Sequence, residues 1–209
     1  MNPIRYTRAA ARALRRHRNV ASRIVGKIEE YAKDPNSLAN RVITMSMGYR
    51  RLRVGDFRVI FRENAAEIEI LDIAHAAEST IETRTMTKAH IFRTPGGEEL
   101  VVMAREEYDT LQDAAVAAAR IRDLAEGREE LLTSVEVEAL LKAPTPLAFW
   151  RKKRRLTQTV LANDVGVSQN FLSDVERGKA IGDVVLYAKL ARRLGISIED
   201  LVPDDERQA

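Results

Sequence analysis

Two groups of residues in this chain have types and spacings that can do chemistry. Arg51 and Arg53 sit two apart in the stretch YRRLRV, and Arg58 follows across Gly55-Asp56. Period two puts Arg51 and Arg53 on one face of a strand, opposite Leu52 and Val54. A row of guanidinium groups can cradle a phosphate and stabilise negative charge developing during phosphodiester cleavage. The same row would also serve as a solvated polar sheet face. The second group is Gln169, Asn170, Ser173 and Asp174, placed outward at the start of a short helix. Hydrogen-bonding side chains there suit the reading of base edges in a major groove, and Lys179 beyond them suits a phosphate contact.

The elements that must position these groups follow from periodicity. Residues 156–179 read as two short helices with a tight turn between them. Leu161, Ala162 and Val165 lie on one face of the first helix, and Leu172 and Val175 on the inner side of the second. Gly166 breaks the first helix, and Ser168 caps the second. Ala162 is small where the two must cross closely. Towards the N-terminus, Ile4 to Tyr6 can begin a strand, and Thr7 caps a helix to His17. A second helix, 20–33, ends at Asp34-Pro35-Asn36. Residues 49–54 and 57–61 alternate as a β-hairpin, and EIEILDI (67–73) is a third strand. Helices followed by a small antiparallel sheet make an α+β domain. Further on, 90–93 and 98–103 flank Thr94-Pro95-Gly96-Gly97 as another hairpin. A helix then runs from Arg105 to about Gly127, and one more is expected over 129–142. Pro144 and Pro146 mark a boundary.

These motifs carry resemblances. FWRKKRRLTQ, LA, GVS, FLSDVERGK and KLARRLGISIEDL, over about 146–202, resemble the Xre-type helix-turn-helix family of phage repressors and Cro. The resemblance implies that Gln158, Ser168, Gln169, Asn170 and Asp174 approach operator DNA and that Arg151 pairs with Glu176. YTRAAARALRR, GYRRLRVGDFRVIF and EILDIAH, over about 4–81, resemble the RelE/ParE toxin superfamily. Its RelE branch cuts mRNA on the ribosome, and its ParE branch poisons DNA gyrase. Arg51, Arg53 and Arg58 match basic positions of the RNase site, with His75 as the remaining proton donor. The chain departs at Ala76-Ala77, where RNase members carry a basic residue and, further on, an aromatic or other polar one. The toxin fold is therefore expected without the toxin's enzymatic activity. GGEELVVMAREEYDTL resembles the start of Phd/YefM antitoxins, and Met86 stands where a separate antitoxin would begin.

Composition sets the bounds. The chain has 209 residues, which suits one large or two small domains, and 45% hydrophobic residues can build cores. It lacks cysteine, which excludes a disulfide framework, and His17, His75 and His90 have no metal-ligand spacing. No metal or cofactor is expected. No run of about 18 apolar residues suggests a membrane span, and the arginine-studded start is no secretory signal, so a cytoplasmic location is expected. Residues 1–85 carry 16 basic against 10 acidic side chains, residues 86–147 carry 7 against 12, and residues 148–209 carry 11 against 9. A basic block beside an acidic one invites mutual binding.

The expectation is a toxin–antitoxin fusion acting as a DNA-binding autorepressor. Residues 1–85 form a RelE/ParE-like domain, two helices packed on a small antiparallel sheet. Residues 86–145 form a hairpin and helices that neutralise the toxin or dimerise, and 146–209 an all-α helix-turn-helix domain. Operator DNA and a second copy are the expected partners. Glu106, Glu107 and Asp109 are expected on the arginine face, within the chain or across a dimer, with Ile91, Phe92, Leu100, Val102, Tyr108 and Leu111 as apolar anchors. The alternative is an active ribosome-dependent mRNA endoribonuclease with an accessory DNA-binding domain. A transcription factor whose first domain senses a small molecule is a third reading.

Overall fold

The computed structural model describes residues 2–37, 40, 42–45, 48–75, 90–94 and 96–202. β1 (Ile4–Thr7) leads straight into α1 (Arg8–Arg16), because the Thr7 hydroxyl accepts from the Ala10 amide and caps the helix. α2 (Arg18–Lys33) follows and buries Ala21, Ile24, Ile28 and Tyr31 on one stripe. Then come β2 (Val42–Thr44), β3 (Tyr49–Val54), β4 (Phe57–Glu63) and β5 (Ile68–His75). The β3–β4 turn needs Gly55 at φ +60°, a conformation open to glycine at little cost. The sheet departs from the expected antiparallel one first in that β1 lies parallel to β5, with Ile4 opposite Ile68, and β2, which the sequence reading did not place, pairs with β3 at one edge. The chain therefore enters the sheet beside its last toxin-like strand, and α1 and α2 cross back over one face.

β6 (His90–Arg93) and β7 (Glu99–Val102) form a separate two-stranded sheet. α3 (Arg105–Ala125) lies across the second face of the main sheet, where Ala117 packs with Met45, Tyr49, Ile60 and Leu71. The expected helix over 129–142 is corrected in its first turn. Leu131–Thr133 is a strand, β8, antiparallel to β1, and helix α4 (Ser134–Lys142) starts only after it. Thr133 makes this break: its side chain and Glu136 form a reciprocal capping box. The main sheet thus runs β2-β3-β4-β5-β1-β8, its last strand coming from outside residues 1–85.

The C-terminal part is helical: α5 (Pro146–Lys153), α6 (Gln158–Val165), α7 (Gln169–Glu176) and α8 (Val184–Leu194), then a 3-10 turn Ile198–Asp200. Its core is continuous with the toxin-like core through Leu132, Val137 and Leu140. Ion pairs lock the same seam. Arg8 meets Glu129 at 2.7 Å and Asp200 at 3.2 Å, and Arg12 meets Asp200 at 2.6 Å. Arg15 donates to the carbonyls of Leu140, Ala143 and Pro144 at the end of α4. Residues on the two sides of the expected 145/146 boundary therefore share one core, and the expected boundary at 85/86 lies outside the described residues. Among the described residues no helix is long and apolar enough to cross a membrane.

Candidate functional site

The arginine face is the side of the sheet that α3 covers. Cross-strand register places Arg51 opposite Ile60 and Arg53 opposite Arg58, so these side chains share that face. Arg51 is buried at 7% exposure, and its partner Asp113, on α3, at 3%. The Arg51 Nη1 to Asp113 Oδ2 distance is 3.2 Å, and Glu106 lies 3.7 Å from Arg51. Arg58 lies 3.5 Å from Asp109 and 3.6 Å from Asp113. Asp109, Asp113 and Ala117 recur every fourth residue, so one stripe of α3 brings both the acids and the packing contact to the sheet. Glu107 does not join them. Arg53 stays exposed and donates to the Gly55 carbonyl of its own turn.

His75 is not brought to this cluster. It lies opposite Phe57, with ring centroids 5.1 Å apart, on the face that α1 and α2 cover. There His17 also stacks edge-on with Phe57, at 4.9 Å. Burial holds the His17 pKa below the ordinary imidazole value, and repulsion from Arg16 and His75 adds to the effect. The arginines and the expected proton donor are thus on opposite sides of a sheet. Ala76, Ala77 and Met86, on which the sequence reading also turned, lie outside the described residues.

The apolar anchors differ from those expected. Ile91, Phe92, Leu100, Val102, Tyr108 and Leu111 are all 44–68% exposed. The contact is instead closed by Ala117, with Val116, Ala118, Ile121 and Leu124 around it, further along α3. The alanine-rich stretch of α3 is the part that packs.

The second site is α6–α7. Thr157 and Ser168 cap the two helices, and Gly166 ends the first at φ +80°. Beneath them Arg151 and Glu176 form a two-point ion pair at 2.5 and 2.9 Å, with Glu176 3% exposed. The same carboxylate accepts from the Gln158 amide at 2.8 Å, and Gln158 accepts from the Gln169 amide at 3.0 Å. A buried charge pair therefore orients Gln158, which orients Gln169 at the first turn of α7. Asn170 and Lys179 are exposed, Ser173 half-buried, and Asp174 is held by Arg177 at 2.8 Å. Ser168 uses its hydroxyl on the Phe171 amide. An open groove beside α7 is lined by Arg151, Lys152, Arg155, Leu156, Thr157, Gln158, Thr159 and Gln169. Lys152, Arg155 and Thr159 were not singled out from the sequence; the basic run RKKRR (151–155) was an available signal for the first two, and nothing marked Thr159.

Comparison with known proteins covers both of these regions. Residues 147–201 match the helix-turn-helix family, and residues 4–80 match the ParE toxin of the type II toxin-antitoxin system parDE. Over 62 residues, 29% of this chain and 94% of the relative, it is 37% identical to an HTH-type transcriptional regulator of Methanocaldococcus jannaschii. The chain belongs to the helix-turn-helix family through its C-terminal module, and it joins that module to a ParE-type toxin domain. No solved structure matches it.

Proposed function

We propose that this protein is a self-neutralised toxin–antitoxin fusion that represses its own operon through α6–α7. The observation that carries neutralisation is the seating of Asp113, Asp109 and Glu106 on Arg51 and Arg58 within one chain. An anionic backbone cannot reach guanidinium groups that are already paired and covered by a helix. The separation of His75 from those arginines further disfavours the RNase alternative, since cleavage needs a proton donor beside the reacting oxygens. The match to the ParE branch points the same way.

For DNA, the reading places α7 in a major groove, with Gln169 and Asn170 on base edges and Lys179 and Arg155 on phosphates. Replacing Gln169 and Asn170 together by Ala should lose roughly 1–3 kcal/mol per good base contact removed. Lys179→Ala should weaken all sequences alike and lower the salt dependence. Titration of the DNA upstream of the gene, at one fixed salt concentration, checks both. Unchanged operator affinity in the double variant would mean that α7 is not the reading helix.

A further inference from the structure

We propose that Phe171 determines specificity on α7 by reading the 5-methyl group of a thymine in the operator; this deepens the proposed repressor function and rests on it. Of the large apolar side chains of α7, Leu172 and Val175 are buried, whereas Phe171 is 38% exposed. It belongs neither to the core nor to the partly buried residues that pack against that core. Among the described residues its ring meets no other aromatic ring. The core of the module is therefore complete without it. Apolar surface left in water contributes to binding only when a partner covers it.

The place of the ring on α7 decides what covers it. The Phe171 amide donates to the Ser168 hydroxyl at 3.2 Å, which fixes the residue in the first turn. Successive helical residues stand about 100° apart. Gln169, Asn170 and Phe171 therefore span the outward arc that Leu172, Val175 and Glu176, all buried, leave open. Gln169 is held at one flank by Gln158, at 3.0 Å, Asn170 is exposed between them, and Phe171 takes the other flank. Asp174, one turn further on, is engaged by Arg177 at 2.8 Å, so it sets no unpaired charge beside the ring. Base edges in a major groove present hydrogen-bonding atoms at every pair and a single kind of apolar group, the thymine methyl. The two amides match the first, and the ring matches the second. A phosphate does not suit it, because a phenyl group carries neither charge nor a hydrogen-bond donor.

Deoxyuridine in place of thymidine removes that methyl and nothing else, which supplies the test. The full chain is titrated with the DNA upstream of its gene at one fixed salt concentration, each thymine being replaced singly. For the parent, at least one replacement should weaken binding about fourfold, the change expected when one methyl-sized patch of buried surface is lost. Phe171→Ala should bind the thymine-containing DNA at least that much more weakly than the parent and should no longer distinguish it from the uracil-containing DNA. Phe171→Leu, which keeps an apolar side chain, should retain part of the distinction. All three proteins should share one thermal melt, since the ring lies outside the core. A parent indifferent to every replacement, or a Phe171→Ala chain with the parent's pattern of sensitivity, would overturn the assignment and leave the repressor reading standing. A lower melt with an equal loss of affinity for every DNA would also overturn it, by showing a packing role. A parent that does not bind this DNA at all would overturn the repressor reading and the assignment together.

Discussion

Replacing Asp113 by Ala should destabilise the chain by roughly 3–5 kcal/mol, the cost of leaving a buried charge without its partner. Arg51 is the group left stranded. Its remaining neighbour, Glu106, is 3.7 Å away with a side chain 77% exposed, so solvent screens what it can offer. Arg58 keeps Asp109, which limits the damage to one of the two guanidinium groups. Asp113→Asn should cost almost as much, because it preserves shape but removes the charge. Converting both partners, Arg51→Met with Asp113→Leu, should recover most of the loss, since the desolvation cost of the pair disappears with it. Chemical denaturation of the parent and these three variants measures the losses and the recovery. If Asp113→Ala unfolds at the parent's midpoint, the seating of α3 on the arginine face is not what holds it down.

Glu176→Ala should lose a similar amount, again roughly 3–5 kcal/mol. Arg151 would keep only the Leu156 carbonyl, at 2.7 Å, with its side chain 12% exposed. The effect should extend to DNA. Gln158 loses its anchor, and through it Gln169 loses the contact that orients it, although neither residue has been changed. Operator affinity should therefore fall further than the folded fraction alone accounts for, while Lys179 still holds phosphates. Thermal melts and DNA titration on the same samples separate the two losses. An unchanged melt would remove the buried pair from the account of this module.

The helix-turn-helix was legible nearly to the residue because its signals are local. Caps at Thr157 and Ser168, a left-handed Gly166 and apolar residues at helical spacing all act within a few residues. The Arg151–Glu176 pair spans 25 positions and was legible only through family resemblance. The arginine face was legible from strict alternation, and so was the idea that acids of the next segment would seek it. The side of the sheet that His75 takes was not. Plain alternation along β5 groups His75 with Leu71, on the face of α3. A register shift opposite Ile60/Phe61 turns Ile73 and His75 over to join Ile68 and Ile70, and a slip of one residue reverses every side chain beyond it. β8 was hidden for another reason. Leu131 and Leu132 fit a helical spacing with Val135, and three residues are too few to show period two. The apolar anchors were sought among large side chains, whereas close approach of α3 to the sheet favours small ones such as Ala117.

β8 has a consequence for any attempt to divide the chain. A fragment ending at residue 85 would lack Leu131–Thr133, and the hydrogen-bonding edge of β1 that they occupy would stand open. Leu132, fully buried, would leave a gap beside Tyr6. Open strand edges recruit other chains, so the liberated toxin domain would be prone to aggregate rather than to act. The C-terminal half thus also supplies a strand to the sheet of the toxin-like domain. A gene that loses its 3′ portion to a frameshift would yield a sticky fragment in place of a released poison.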